Sequence, residues 1–219
     1  MKQVFLTRQM DIIKPSILNE EIQIIGSGAI GSFTALSLAK MGFENITVWD
    51  FDMVDDVNLN CQFFRVSDIG KPKVEALKEI IQDFTGTEIK TKNEAYEGQV
   101  LSGIVITALD NMKTRKLILD SNRGNIQIKR VIDPRMSAEY ATMQMFDPGE
   151  GVSMSTYEKT LFDDDNSVQE RCTAKSTMYT VNLIAGMVSK TVKNVLSGDK
   201  YMKGYVWDIG QNDLNCFVQ

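Results

Sequence analysis

The chain has 219 residues, which is long enough to bury the core of one domain of ordinary size. Its formal net charge of −5 argues against nucleic acid or an anionic membrane as a partner, because those surfaces attract clustered basic faces. Residues 1–10 lack the apolar stretch of a signal peptide, and no run is long enough to span a membrane, so we expect a cytoplasmic protein.

The cysteine and histidine content limits the possible chemistry. Three cysteines, Cys61, Cys172 and Cys216, are too widely spaced for a CxxC zinc site or a disulfide framework, so we expect no zinc. The chain contains no histidine. Ser-His and Cys-His nucleophile pairs are therefore excluded, and catalysis must use carboxylates, lysine, arginine, cysteine or the ligand itself.

After an arm of little periodicity at residues 1–20, the strongest local pattern begins with a short apolar run at residues 22–25. That run predicts a buried parallel strand, and it leads directly into the sequence GSGAIG. In such a turn Gly26 permits the tight bend, Gly28 lets backbone approach a phosphate, and Gly31 lets the next helix pack closely. The pattern therefore predicts a nucleotide-binding turn.

The elements that follow this turn fit the same interpretation. A helix is expected over residues 30–41, with its N-terminal amides aimed at the phosphate, and a second strand over residues 46–49. Asp50 ends that strand at the distance along the chain where an acid accepts a hydrogen bond from a ribose hydroxyl. The next segment, residues 51–65, is too polar for the simple helix of a hydride-transfer domain.

A second helix is predicted over residues 71–83, because Pro72 suits a helix start and apolar residues recur at helical spacing. Lys73 then lies in the first turn, where its charge opposes the helix dipole, and this favours a phosphate partner. A strong strand at residues 103–109 ends in Asp110. Ligands bind at that end of parallel strands, so Asp110 is either a metal ligand or the N-cap of a helix over residues 112–121.

The remaining elements predict an α/β fold that is Rossmann-like, with a mostly parallel central sheet, helices on both faces and a few antiparallel strands toward the C-terminus. A mobile crossover loop is expected over residues 147–172, where glycine, serine and acidic residues concentrate. The chain is expected to form a single domain, and the other predicted elements are strands at residues 88–92, 130–136, 140–146, 204–208 and 215–218 and a helix at residues 178–196.

Four motifs in order resemble the ThiF/MoeB/HesA family, the bacterial relatives of ubiquitin-activating enzymes. They read GSGAIG, DFDMVDDVNLNCQ, DIGKPKVEAL and ALDNMKTR, and the resemblance covers roughly residues 8–207. The resemblance implies that ATP and Mg²⁺ are used to adenylate the C-terminal Gly-Gly carboxylate of a ubiquitin-like or sulfur-carrier protein. It also implies a homodimer, in which Arg8 reaches across into the partner's site.

The resemblance assigns further roles residue by residue. Asp50 would contact the ribose, Lys73 the triphosphate and Asp110 the Mg²⁺. Lys73, Asp110, Arg8 and Arg65 are the candidate catalytic residues, together with Cys172. The remaining residues that it places at the nucleotide are Gly26, Gly28, Ala29, Ile30, Gly31, Asp52, Asn58, Gln62 and Asn111.

The chain departs from the family pattern at two places. Cys61 stands where the family commonly has an arginine, and a thiol cannot make the bidentate phosphate contact of a guanidinium. Arg65, Arg115 or Arg135 is expected to compensate, or adenylation is weakened. The paired CxxC zinc motifs of the family are also missing, so the sequence resembles a divergent, zinc-free branch.

Cys172 stands where family members often carry a cysteine for sulfur or thioester chemistry. It is either a nucleophile that receives the acyl group from AMP, with its pKa lowered by Lys175 and a helix N-terminus, or an ordinary half-buried cysteine. Two alternatives to adenylation remain open. Cys61 favours a catalytically weak module that binds a nucleotide or partner, and the glycine motif alone would also suit an NAD(P)-dependent oxidoreductase.

Overall fold

The structure is a computed structural model that describes residues 6–162 and 176–217, and these residues form one sheet of eight strands. The strands are β1 Ile22–Ile25, β2 Ile46–Trp49, β3 Lys90–Lys92, β4 Gly103–Thr107, β5 Ile128–Ser137, β6 Tyr140–Phe146, β7 Gly204–Asp208 and β8 Asp213–Phe217. Their order across the sheet is β3-β2-β1-β4-β5-β6-β7-β8. Each predicted strand is confirmed: β1, β2, β6 and β7 have their predicted bounds, and the boundaries of the others are moved by up to two residues.

The first five strands of the chain are parallel, and their order determines where a ligand site is expected. Strand β1 pairs with β2 on one side and with β4 on the other, so the chain reverses its direction of winding between β1 and β4. In open α/β sheets, ligands bind outside the carboxyl ends of the strands at this switch point. The glycine turn after β1 and Asp110 after β4 therefore lie at neighbouring strand ends.

Helices connect and cover the strands. They are α1 Ala29–Lys40, α2 Lys73–Thr85, α3 Met112–Ser121, α4 Gly151–Glu158 and α5 Met178–Ser197. Helix α2 begins directly after Pro72, as predicted. Helix α5 ends at Gly198, which adopts the left-handed conformation that glycine takes without a Cβ penalty.

Hydrophobic cores lie on both faces of the sheet, as side-chain alternation along the strands requires. Ile24 and Ile106 face the cluster under α1, α2 and α5, whereas Ile25 and Val105 face the cluster under α3 and α4. Because both faces are covered, the central parallel strands β1, β2 and β4 are buried along their whole length and read as nearly continuous apolar runs. The predicted fold class is confirmed.

The C-terminal half differs from the prediction in one segment. Strands β5 to β8 form an antiparallel meander, as expected. Part of the predicted crossover loop at residues 147–172 is helical, because α4 buries Met154 and Tyr157 in the second core. Residues 163–172 of that loop, which include Cys172, lie outside the described residues, and so does Lys175.

The N-terminal arm packs against its own domain from residue 6 onward. A 3-10 turn spans Pro15–Ile17, and Ile13 and Ile17 are buried in the first core. Arg8 is exposed. Among the described residues, no helix is both long enough and apolar enough to cross a membrane.

Candidate nucleotide-binding site

The glycine turn after β1 has the geometry of a phosphate cradle. Gly26 has a φ of +97°, and a Cβ there would lie 2.2 Å from the carbonyl oxygen of Ala108. A Cβ on Gly31 would lie 2.0 Å from the carbonyl oxygen of Gly26. Neither position accepts a side chain, so the turn, helix α1 and the end of β4 are held in direct contact.

Gly28 differs from its two neighbours because space lies in front of it. A Cβ there would meet only the Nε2 atom of Gln62, at 3.9 Å. Gly28 caps α1, and Ala29 and Ile30 form the first turn of that helix. A helix N-terminus with open backbone in front of it favours an anion such as phosphate.

Asp50 connects the end of β2 to the glycine turn. Its carboxylate accepts hydrogen bonds from the Ser27 amide at 2.6 Å and the Ser27 hydroxyl at 2.9 Å. The other oxygen of Asp50 accepts from the Asp52 amide at 2.9 Å. The candidate ribose residue therefore lies beside the predicted nucleotide turn, and in this structure it fixes the shape of that turn.

Lys73 continues the same chain of polar contacts. Its ammonium lies 2.7 Å from the Asp52 carboxylate, and its side chain is 7% exposed while that of Asp52 is 51% exposed. The Lys73 amide also donates to the Asp52 carbonyl at 2.9 Å. An ammonium has three donors. The ion pair therefore holds the lysine at the carboxyl end of β2 with hydrogen-bonding capacity for an anion.

The loop after β4 bears on the two interpretations of Asp110, as a metal ligand and as a helix N-cap. The N-cap of α3 is Asn111, whose side chain accepts from the Thr114 amide at 2.8 Å. Asp110 is exposed at the strand end, and the side-chain Nδ2 atom of Asn111 donates to its carboxylate at 3.2 Å. Because Asn111 caps the helix, the Asp110 carboxylate faces solvent at the point where a metal ligand was expected.

The segment that carries Asn58, Cys61 and Gln62 covers the glycine turn. The Phe63 amide donates to the Ser32 hydroxyl of α1 at 3.0 Å, which fixes the segment on that helix. Cys61 is half-buried, and its Sγ atom lies 3.7 Å from the Asn58 carbonyl oxygen. The Oε1 atom of Gln62 is buried without a hydrogen-bond partner among the described residues. An unpaired buried polar atom beside Gly28 fits a site whose ligand provides the missing partner.

The comparisons with known proteins decide the family. A family model described as the ThiF family matches residues 13–217. The chain is a member of the ThiF family. Ubiquitin-like modifier-activating enzyme 5 of Dictyostelium discoideum is 25% identical over 208 residues, which cover 83% of this chain and 54% of that protein. A second relative is tRNA threonylcarbamoyladenosine dehydratase 1 of Saccharomyces cerevisiae, 28% identical over 153 residues that cover 60% of this chain and 35% of that protein.

Solved structures show the same fold. E. coli MccB with ATP matches with a TM-score of 0.75 at 14% identity, covering 98% of this chain and 66% of that chain. PaaA matches with a TM-score of 0.73 at 19% identity, covering 92% of this chain and 64% of that chain. At these identities the likeness establishes the fold and nothing further. This ThiF-family chain spans about half the length of the curated relatives it matches.

The three arginines expected to replace the family arginine at Cys61 all bind carboxylates of the protein. Arg65 binds the buried carboxylate of Asp68 at 2.9 Å, as well as two acids of α2. Arg115 and Arg135 both bind Asp133, at 2.8 Å and 2.7 Å. Compensation by any of them stays a prediction, and it would require the guanidinium to exchange a protein carboxylate for a phosphate.

Asp133 was missed by the sequence analysis. It is fully buried, and its carboxylate also accepts from the Thr107 hydroxyl at 2.6 Å and the Tyr157 hydroxyl at 2.9 Å. Burial alone would raise the pKa of Asp133, but the charges of Arg115 and Arg135 outweigh it and hold the pKa below its ordinary value. The sequence contained one signal that could have found it, because Asp133 is an acid within an apolar strand. An acid in a buried strand is rarely present unless a charged partner pairs with it.

The charges at the carboxyl ends of the strands bear on whether Mg²⁺ is needed there. The carboxylates of Asp50, Asp52 and Asp110 lie at the same sheet edge as the Lys73 ammonium, so a polyphosphate bound there would need positive charge beyond that of Lys73. Within residues 6–162 and 176–217, no group of three or more acidic or cysteine side chains is arranged to hold an ion by itself. Mg²⁺ usually binds through one or two carboxylates plus substrate phosphates, and the exposed carboxylate of Asp110 is the candidate for one of them.

Proposed function

We propose that this ThiF-family protein adenylates a carboxylate with ATP. The observation that carries the proposal is the joint placement of open backbone at Gly28, the Asp50–Asp52–Lys73 chain of contacts and the exposed Asp110 at adjoining strand ends. The named activity of Ubiquitin-like modifier-activating enzyme 5 and the ATP in the MccB structure support the same reaction class.

The reaction needs positioning and charge stabilisation more than proton transfer. A carboxylate oxygen of the substrate attacks the α-phosphorus of ATP, a new P–O bond forms, and the bond to the bridging oxygen breaks as pyrophosphate leaves with the electron pair. No proton has to be moved, because the nucleophile is already ionised. A chain without histidine is therefore suited to this chemistry.

Each residue of the site has a defined part in this reaction. The amides around Gly28 would bind phosphate, and the Lys73 ammonium would stabilise charge that develops on the leaving group. Asp50 orients the glycine turn through Ser27 and is the candidate for the ribose contact. Mg²⁺, when bound at Asp110, would neutralise phosphate charge.

A second copy of the chain would supply the missing positive charge. Arg8 is exposed on the N-terminal arm, and none of the carboxylates in the described part of the chain lies within ion-pair distance of it. The resemblance places the corresponding arginine in a partner's site. We therefore propose a homodimer in which Arg8 of each copy approaches the phosphates bound by the other.

The substrate that we propose is a ubiquitin-like or sulfur-carrier protein ending in Gly-Gly. The name of the Dictyostelium relative supports a ubiquitin-like substrate, and a structure of MccB, which shares this fold, contains MccA. Transfer of the acyl group to Cys172 is a further step that we propose: the thiolate attacks the acyl carbon, a C–S bond forms, and the bond to the phosphate oxygen breaks as AMP leaves with the electron pair. An adduct with the carrier that hydroxylamine cleaves but a phosphine reductant does not, and that disappears in Cys172→Ala but persists in Cys61→Ala, would establish it.

Pyrophosphate exchange tests the adenylation directly. Purified protein with ATP, Mg²⁺ and a panel of small proteins and synthetic peptides ending in Gly-Gly should exchange labelled pyrophosphate into ATP. Asp110→Ala should abolish exchange, whereas Asp120→Ala should not, because Asp120 lies on the exposed side of α3 in ion pairs with Lys116 and Arg123. Exchange that is independent of any carboxylate, or that survives Asp110→Ala, would contradict the proposal.

A catalytically weak binding module is the second candidate, and Cys61 is the observation that favours it. The arginines expected to compensate for Cys61 are bound to protein carboxylates. ATP binding without exchange for any panel member would support this alternative, and a gain of exchange in Cys61→Arg would identify the cysteine as the cause. Binding of NAD(P) in place of ATP would instead indicate an oxidoreductase.

A further inference from the structure

Arg115 holds the loop that contains Asp110. Its guanidinium donates to the Leu109 carbonyl at 2.7 Å and to the Asn111 carbonyl at 3.1 Å. These two residues flank Asp110 in the sequence. The backbone on both sides of the exposed carboxylate is therefore fixed by one side chain, which is itself only 4% exposed.

Asp133 joins Arg115 to a second arginine that holds a different segment. One carboxylate oxygen accepts from Arg115 Nε, and the other accepts from Arg135 Nε at 2.7 Å. The Arg135 guanidinium also donates to the Thr160 carbonyl at 2.8 Å and to the Thr160 hydroxyl at 3.0 Å. A single buried carboxylate thus connects the Asp110 loop with the residues that follow α4.

Rigid helices and side chains support this connection. Arg115 lies in α3, and Tyr157 of α4 donates its hydroxyl to Asp133 while its ring stacks on Phe146 with centroids 4.2 Å apart. Buried networks in which every member is hydrogen-bonded restrict the protein to one arrangement. Displacement of the Asp110 loop would break its hydrogen bonds to Arg115, and displacement of Thr160 would break those to Arg135. Both guanidiniums are themselves bound to the Asp133 carboxylate, which is fully buried.

We propose that Arg115 is a positioning residue for the Asp110 carboxylate, and that Asp133 couples this loop through Arg135 to Thr160. The functional part of this inference rests on the proposed nucleotide site, whereas the mechanical coupling does not. Coupling of this kind would make the placement of Thr160 and Leu161 depend on the state of the nucleotide loop.

Hydrogen exchange of the free protein tests the coupling without any ligand. The relevant amides are those of Thr114, which donates to Asn111, and of Thr160 and Leu161, which donate to the last turn of α4. Arg115→Lys should speed exchange in peptides covering residues 110–116 and, to a smaller extent, residues 157–162. Arg135→Lys should speed exchange more in the peptides covering residues 157–162 than in those covering residues 110–116.

Arg123→Lys is the matched control for both variants. Arg123 follows α3 and is paired with Asp120 and Glu158, so it also links α3 to α4, but without contact to Asp133. It should leave both peptides unchanged. The coupling would be overturned if hydrogen exchange became faster only in the peptide next to each mutation. It would also be overturned if Arg123→Lys changed exchange in both peptides as much as Arg115→Lys and Arg135→Lys do.

Magnesium dependence of ATP binding tests the positioning of Asp110. Residues that orient a metal ligand typically contribute about 10- to 100-fold to metal affinity. Arg115→Lys should therefore reduce the gain in ATP affinity on adding Mg²⁺ by about that factor, with ATP affinity in EDTA unchanged. In an Asp110→Ala background, Arg115→Lys should have no further effect, since it acts through that carboxylate.

The outcomes separate this inference from the proposed function. An undiminished magnesium effect in Arg115→Lys, or losses that add in the double variant, would overturn the positioning role. Failure of the wild-type protein to bind ATP would refute the nucleotide site, and hydrogen exchange would then decide the coupling alone. Should Arg115→Lys fail to fold, Arg135→Lys still tests the coupling from the other side of Asp133.

Discussion

Two glycines of the same turn are expected to respond differently to one added methyl group. Gly31→Ala places a Cβ 2.0 Å from the Gly26 carbonyl oxygen and 3.3 Å from the Ala108 Cβ atom. Gly28→Ala places a Cβ 3.9 Å from the far end of the Gln62 side chain. The first substitution overlaps backbone that cannot move away freely, and the second occupies open space where a phosphate would approach.

The magnitudes follow from these contacts. Overpacking a tight contact costs about 1–3 kcal/mol, and overlap with a backbone carbonyl belongs at the upper end. Alanine recovers at most about 1 kcal/mol through better helix propensity, so Gly31→Ala should lose about 2 kcal/mol of stability. For a chain of this size that corresponds to a drop in Tm of about 4–8 °C. Gly28→Ala should lose less than about 1 kcal/mol, through the helix cap alone.

Thermal melting and ATP titration of both variants test this reasoning. Gly31→Ala should melt several degrees below the wild type, whereas Gly28→Ala should melt close to it and bind ATP about tenfold more weakly or worse. A Gly31→Ala protein as stable as the wild type would refute the packing account. Undiminished ATP affinity in Gly28→Ala would show that the open space at Gly28 is not the phosphate site.

Three further predictions concern charged and capping residues. Asp133→Asn should cost about 3–5 kcal/mol at neutral pH, because it leaves two buried arginines without their carboxylate. The folded-state pKa of Asp133 is depressed, so the stability that its carboxylate contributes is present above about pH 4 and is lost as pH falls through that pKa. In urea unfolding, the free energies of unfolding of the variant and the wild type should therefore converge in acid. Lys73→Met should weaken ATP binding about 10- to 100-fold in calorimetry, whereas Lys78→Met, on an exposed side of the same helix and paired with Glu88, should not. Asn111→Ala should lower Tm by about 2–4 °C through loss of about 1 kcal/mol at the α3 N-cap, and an unchanged Tm would contradict that cap assignment.

Local patterns predicted most of the fold because each depends on neighbours in the sequence. The strand at Tyr140–Phe146 and the helix at Met112–Ser121 occur at their predicted bounds, since apolar periodicity and turn residues act over a few positions. The helix Gly151–Glu158 was missed for the same reason. Its serine- and glycine-containing sequence has weak helical preference, and burial of Met154 and Tyr157 against the sheet stabilises it.

The same distinction applies to the candidate site, where some features follow from the sequence and others depend on the folded structure. The positions of Gly26, Gly28 and Asp110 at adjoining strand ends were predictable, because a parallel sheet brings the carboxyl ends of its strands together. Which residue caps α3 was not predictable, because Asp110 and Asn111 are both suitable caps and the backbone conformation selects Asn111.

The sequence by itself determined the fold class, the glycine turn and the family, since these depend on short patterns and their order along the chain. Only the tertiary structure decided which charges are paired. Asp133 meets Arg115, Arg135 and Tyr157 from separate elements, and Lys73 meets Asp52 across a loop. The physical reason is that electrostatic partners are selected by distance and burial in the folded chain, and spacing in the sequence carries no record of either.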